Sequence, residues 1–426
     1  MSRNTILLLA LLTLTPVILS AQIVHKVLFL GNSYTYSNNL PGIIQSLAEA
    51  GGDSLYFDSN TPGGYQFQQH VTNATTLSRI AQDNWDYVIM QEQSQIPSFP
   101  QGQVQQICYP HAATLCDSIR SNDPCSEPLF FMTWGRENGD AQNCPNWPPV
   151  CTFLGMAGQL RMSYLNMANW NNATVAPAGV AWVEARNRDP QISLYTGDGS
   201  HPNYTGSYLT ACVFYATMYR KAPTALNFYG SLDTATATFL QTVAEDVVFD
   251  SLDIWRIGHR DVYADFDYVL QSNGDIAFSD SSANATQWAW DFGDGATDSI
   301  QNPAHTYTTS GTYTVTLIVT DGCNSDTISD TVNVVVVGRD LAAAPSLQLW
   351  PNPATDLLQL EMSALAGEAY TLTVRDLQGR VLRTETVTPS SGYLRHQIRT
   401  KALPAGTYLL EIRGASTVVT QKFIRK

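Results

Sequence analysis

Basic side chains are scarce in this 426-residue chain: 23 lysines and arginines face 37 aspartates and glutamates, for a formal charge of −14. So acidic a surface has no unaided electrostatic grip on nucleic acid or on an anionic membrane, and neither is expected as a partner. Long apolar runs are missing after the first 21 residues, where no stretch reaches the roughly 18 to 20 residues of a bilayer span. The seven cysteines hold no CxxC pair of the zinc-binding kind, and no cluster of His, Asp and Glu offers another metal site. Neither metal nor cofactor is expected.

What is present begins with residues 1–21, which run from a short polar start with Arg3 through apolar Ile6 to Leu19 and end on Ser20 and Ala21. That is the pattern of a cleavable secretory signal. Export would put the cysteines in an oxidising setting. Six of them (Cys108, Cys116, Cys125, Cys144, Cys151 and Cys212) fall in one region and are compatible with disulfides of unspecified pairing. Cys323 stands apart and reads as a small buried or turn residue.

Between residues 22 and 260 short apolar runs alternate with longer amphipathic ones. Lys26 to Leu30, Tyr87 to Met90, Pro128 to Thr133 and Ala173 to Pro177 read as buried strands. Leu40, Ile44 and Leu47 share a helical face, and Tyr204 to Arg220 and Thr234 to Val248 read as closing helices. This alternation predicts a parallel sheet covered by helices on both sides.

From about Tyr263 the texture is all-β. Over residues 264–337 the run Trp290-Asp291-Phe292-Gly293-Asp294-Gly295 is followed by His305-Thr306-Tyr307 and by the alternating stretch Gly311 to Asp321. These elements resemble a PKD domain, an immunoglobulin-like sandwich. Its aspartates could hold calcium, or they could simply satisfy turns. A linker follows over residues 338–346, Ala-rich between Leu341 and Pro345.

Residues 347–426 carry Trp350-Pro351-Asn352-Pro353, the turn Asp376-Leu377-Gln378-Gly379-Arg380, then Leu403-Pro404-Ala405-Gly406-Thr407-Tyr408 and a basic end at Lys426. That order resembles the C-terminal sorting domain of the Bacteroidetes type IX secretion system. The resemblance implies that secretion machinery as a partner, export across the outer membrane, and release or attachment at the cell surface.

Two motifs suggest chemistry. Gly31-Asn32-Ser33 follows the first buried strand, where open α/β sheets place their ligands. Asp198-Gly199-Ser200-His201 lies just before a helix near the end of the same region. A serine nucleophile needs a base, and the base needs an acceptor to fix its tautomer, which Asp198 can supply to His201 from one tight loop.

Together the two motifs resemble the first and last blocks of the SGNH (GDSL-like) hydrolases, in a branch with Asn32 where other members have Asp. The resemblance implies a flavodoxin-like three-layer α/β/α fold, with Ser33 as nucleophile, His201 as base and Asp198 as its orienter. It also implies an oxyanion hole from the Ser33 N–H, a glycine after the second strand and an asparagine after the third. Gly64 in Thr61-Pro62-Gly63-Gly64-Tyr65 fits the glycine, with Gly63 as the alternative. Gln91-Glu92-Gln93-Ser94 departs from the family's third block. Gln93 stands at the asparagine's place, and Gln91 is the other candidate.

Glu92 and Glu137 are placed to line the pocket or to orient the base. Trp134, Trp182 and Tyr195 could wall a sugar site or pack a core. His70 and His111 read as helix-surface residues. The expectation is a serine esterase acting on an ester substrate, an acetylated polysaccharide by family analogy. The rival is a non-catalytic glycan-binding or adhesion protein on the same scaffold.

Overall fold

A strand covered on both sides needs apolar residues without alternation, and Val27, Leu28, Phe29 and Leu30 are fully buried at the end of β1 (Val24–Leu30). It is central in a sheet with β2 (Ser54–Asn60), β3 (Tyr87–Met90), β4 (Glu127–Phe131) and β5 (Thr174–Ala176). All neighbours pair in parallel, in the order β2-β1-β3-β4-β5. This is the flavodoxin-like order. The four strands expected from sequence fall on β1, β3, β4 and β5 within two residues.

Helices α1 (Ser33–Tyr36) and α2 (Leu40–Ala50) follow β1, and α3 (Phe67–His70) and α4 (Ala74–Ile80) follow β2. After β3 come α5 (Gln101–Ile107) and α6 (Tyr109–Asn122), and after β4 comes α7 (Phe153–Trp170). The region closes with α8 (Ala178–Arg188), α9 (Tyr204–Tyr219) and α10 (Thr234–Phe249). The step from β1 to β2 runs one way across the sheet and later steps run the other, so right-handed crossovers put α2 opposite α4, α6 and α7. Accordingly α2 packs on α9, which packs on α8 and α10, while α6 packs on α3, α4, α5 and α7. The reversal between β1 and β3 opens a crevice at their carboxyl ends.

This computed structural model describes residues 22–336, 346–363, 369–389, 393–415 and 418–426, so the expected signal segment and most of the expected linker lie outside it. The chain forms two units. The first runs to Tyr263 and takes in Ala283–Thr286 and Thr320–Ser325, and the second holds the rest. No helix among the described residues is long and apolar enough to cross a membrane.

Two disulfides form among the described residues, Cys144–Cys151 and Cys125–Cys323. Cys323 is therefore not the isolated turn residue its position suggested. Cys108, Cys116 and Cys212 are buried free thiols, with Cys108 Sγ 3.8 Å from Glu92 Oε2.

In the second unit, Phe266–Leu270, Asp275–Asp280 and Ala304–Thr306 form one sheet. The other includes Gln287–Asp291 and Gly311–Thr320, whose Val315, Leu317 and Val319 point inward as the alternation predicts. Asp291 and Asp294 accept backbone N–H groups from Gly293 and Ala296, so both act in the turn. The described residues of 347–426 build a three-stranded and a four-stranded sheet around Leu358, Leu360, Leu372, Val374, Leu410 and Phe423.

Candidate active site

The site is assembled where β1 ends. Gly31 leads out of the strand so tightly that a Cβ there would lie 2.5 Å from Thr35 Oγ1 and 2.8 Å from Gln91 Oε1. Asn32 then caps α1, its Oδ1 accepting the Tyr34 N–H at 3.1 Å. Its Nδ2 donates to the Tyr65 carbonyl at 2.8 Å, and its own N–H donates to Gln91 Oε1 at 3.0 Å. One buried asparagine thus ties together the ends of β1, β2 and β3. Ser33 opens the helix, so its N–H has no acceptor within α1.

Asp198 organises the second loop. Its Oδ1 accepts the N–H groups of Ser200 and His201 at 2.8 and 2.9 Å and the Thr196 hydroxyl at 2.9 Å. Its Oδ2 lies 2.5 Å from His201 Nδ1. With Nδ1–H donating to the carboxylate, Nε2 is left as an acceptor, and it lies 2.8 Å from Ser33 Oγ. Burial works to raise the Asp198 pKa, but the hydrogen bonds from His201, Ser200 and Thr196 outweigh it and hold the carboxyl well below the usual range. Such a chain can draw a proton from a hydroxyl onto an imidazole whose orientation is fixed. The structure brings Ser33, His201 and Asp198 together across a sequence gap of more than 160 residues.

The other expected residues divide. Gly64 lies in the exposed turn after β2 at φ +72°, a left-handed conformation suited to glycine, where a Cβ would touch nothing. Gly63 faces Tyr36: a Cβ there would lie 3.7 Å from the tyrosine hydroxyl. Gln93 turns into its own loop, where Oε1 accepts the Gln95 N–H at 2.8 Å and Nε2 donates to Gln95 Oε1 at 3.3 Å. Gln91, not Gln93, contacts the serine turn, accepting from Asn32 and from Thr35 Oγ1.

Glu92 is buried under the site, where it accepts the N–H groups of Phe67 and Gln93. Burial pushes its carboxyl up to about 8 against the hydrogen bonds that favour its charge. Glu137 donates its N–H to the Gly199 carbonyl at 2.8 Å and so supports the histidine loop through its backbone. Trp134 and Trp182 are fully buried and stacked 3.8 Å apart, so they are core beneath the loop. Tyr195 is buried too, with its hydroxyl on the Gly135 carbonyl. His111 sits half-buried on α6.

His70 corrects the expectation of a surface residue. It is completely buried, with Nε2 3.0 Å from the Gly31 carbonyl and Nδ1 2.9 Å from Thr76 Oγ1. A carbonyl can only accept, so Nε2 carries the proton. Burial lowers the His70 pKa, against the opposing effect of the Gly31 bond. The four residues of α3 are too few to show a buried face by periodicity. Tyr34, Asn38 and Ser200 were also missed. The Tyr34 hydroxyl lies 2.6 Å from Ser200 Oγ, and Asn38 Nδ2 donates to the Pro202 carbonyl at 3.0 Å.

With this geometry in view, comparison with known proteins assigns two segments. Residues 268–336 match the PKD domain family. Residues 348–426 match the secretion system C-terminal sorting domain. A curated relative, the pre-pro-metalloprotease PrtV of Vibrio cholerae, is 30% identical over 153 residues, which are 34% of this chain. The chain spans only 15% of that relative's length.

Among solved structures, a DUF4886 family protein from Bacteroides uniformis is 19% identical, covering 53% of this chain and 95% of its own, with a TM-score of 0.46. A protein from Slackia heliotrinireducens described as an SGNH hydrolase is 24% identical, covering 46% of this chain and 99% of its own, with a TM-score of 0.39.

Proposed function

We propose that the first unit is an SGNH-type serine esterase with Ser33 as nucleophile, His201 as base and Asp198 as orienter. The observation that carries this is the continuous chain from Asp198 Oδ2 through His201 to Ser33 Oγ, at 2.5 and 2.8 Å. Ser33 Oγ attacks the ester carbonyl carbon as its proton passes to His201 Nε2. The resulting oxyanion is met by the N–H groups of Ser33 and Gly64, each such donor contributing roughly 10²- to 10³-fold in rate. The leaving alkoxide takes the proton from His201. Water, deprotonated by the same imidazole, then releases the acid and restores Ser33. Gln93 joins the oxyanion hole only by giving up its contact with Gln95.

For substrate we propose an O-acetyl ester on a glycan, with the mature protein exported by the type IX machinery. Three features support this reading: an exposed loop bearing the base, the exposed Tyr36 ring one helical turn from Ser33, and the sorting domain at residues 348–426. The inward-turned Gln93 amide favours a second reading, a glycan-binding protein that has lost turnover.

Hydrolysis of p-nitrophenyl acetate by the purified chain, beside Ser33→Ala and His201→Ala, separates the two. Turnover that both substitutions abolish supports the esterase. A wild type no faster than its variants sinks it in favour of the binding protein.

A further inference from the structure

Asp198 orients His201 from within the same loop, so it moves with that loop and cannot fix its distance to Ser33. Something outside the loop must do so. The loop is also exposed, with 38% of the His201 side chain and 49% of the Asp198 side chain open to solvent. The segment that carries the serine reaches across to both neighbours of the histidine. Tyr34, directly after Ser33, places its hydroxyl 2.6 Å from Ser200 Oγ. Asn38 donates Nδ2 to the Pro202 carbonyl at 3.0 Å and to Ser207 Oγ at 2.9 Å.

Tyr34 is itself immobilised. It is buried, lies 5.0 Å from Trp134 with the rings within 5° of parallel, and meets the His201 ring edge to face at 5.3 Å. Trp134 in turn donates Nε1 to the Ser200 carbonyl at 3.1 Å. Burial raises the Tyr34 pKa, so the phenol stays neutral at this contact.

We propose that Tyr34 and Asn38 are positioning residues that bracket His201 at Ser200 and Pro202 and so set its register against Ser33. The kinetic part of this proposal rests on the esterase reading. The bracket relieves the imidazole of any need for a rigid loop of its own. It also links the nucleophile and base segments, so that a shift of one carries the other.

The test uses Tyr34→Phe, Ser200→Ala, the double variant and Asn38→Gly in the full chain. Asn38 sits at φ +54°, where glycine is at ease, so that substitution removes the side chain without straining the turn. Two properties are read: p-nitrophenyl acetate kinetics and the downfield proton resonance of the His201 Nδ1–H bond to Asp198. Tyr34→Phe and Asn38→Gly are each expected to lower kcat by about 10- to 100-fold, as a small misplacement of a reacting group does. KM should change little, and the resonance should broaden or shift. Because Tyr34 and Ser200 act through one bond, the double variant should match the single ones rather than multiply them.

Wild-type kcat and an unaltered resonance in Tyr34→Phe would overturn the bracket, as would fully multiplicative losses in the double variant. If wild type itself fails to turn over, the esterase reading falls, and the resonance alone still decides whether Tyr34 holds His201.

Discussion

Nε2 of the buried His70 donates to the carbonyl of Gly31 at 3.0 Å, two residues before Ser33. This bond is a support under the serine turn, and it is burial, not the Gly31 bond, that favours the neutral imidazole there. The folded-state pKa of His70 lies below its unfolded value. The stability it contributes is therefore full above the unfolded value of about 6.5 and is lost as pH falls through the folded one. Thermal midpoints measured between pH 5 and pH 7.5 should fall on the acid side in wild type and fall less in His70→Gln, whose amide can still donate to Gly31. His70→Ala should cost about 1 to 3 kcal/mol at neutral pH by orphaning a buried carbonyl. Equal acid sensitivity in wild type and His70→Gln would rule His70 out as its source.

Glu92 has the opposite sign. Burial holds its carboxyl at about 8 in the folded state, well above the ordinary 4.5. The folded chain therefore binds more protons than the unfolded chain between those values. Its contribution is complete below about 4.5 and is lost as pH rises through 8. Glu92→Gln should gain on wild type as pH rises from 5 to 9, as read by chemical denaturation at each pH. Parallel stability curves for the two proteins would mean that Glu92 titrates elsewhere.

The Asp198 carboxylate accepts four hydrogen bonds from its own loop, three on Oδ1 and one on Oδ2. Asp198→Asn can keep the three on Oδ1 and turn its NH2 group toward His201 Nδ1. The imidazole then adopts the other tautomer, with its proton on Nε2, and cannot take one from Ser33. The expected result is a fall in kcat of about 10²- to 10⁴-fold with an unchanged circular dichroism spectrum. Retained turnover would show that Asp198 only shapes the loop.

The parts of this site that were legible in the sequence are local ones. Asp198 and His201 fall within one tight turn, and Ser33 follows an apolar run whose lack of alternation marks a central strand. The supports are not local. Tyr34 meets Ser200, His70 meets Gly31, and Cys125 meets Cys323 only because the sheet order and the packing of the loops bring them together. No spacing rule encodes those pairs. Gln93 illustrates the same limit: its position after β3 suggested an oxyanion donor, yet the following turn draws its amide to Gln95.

Tyr36 offers the test of substrate class. It is 52% exposed, sits one helical turn after Ser33 on α1, and has its hydroxyl beside Gly63. On the proposed esterase reading, this ring would be a platform for the apolar face of a sugar ring, whereas a small aryl acetate does not need it. An apolar contact the size of one buried CH2 contributes about 0.8 kcal/mol, which corresponds to roughly a 4-fold change in KM. Tyr36→Ala should therefore raise KM on an acetylated polysaccharide while leaving p-nitrophenyl acetate kinetics unchanged. Side-by-side measurement of acetate release from both substrates reads this directly. If the polymer KM is unaffected, Tyr36 is only an exposed ring. If both substrates lose kcat, Tyr36 instead supports the Ser33 turn and the glycan assignment loses that argument.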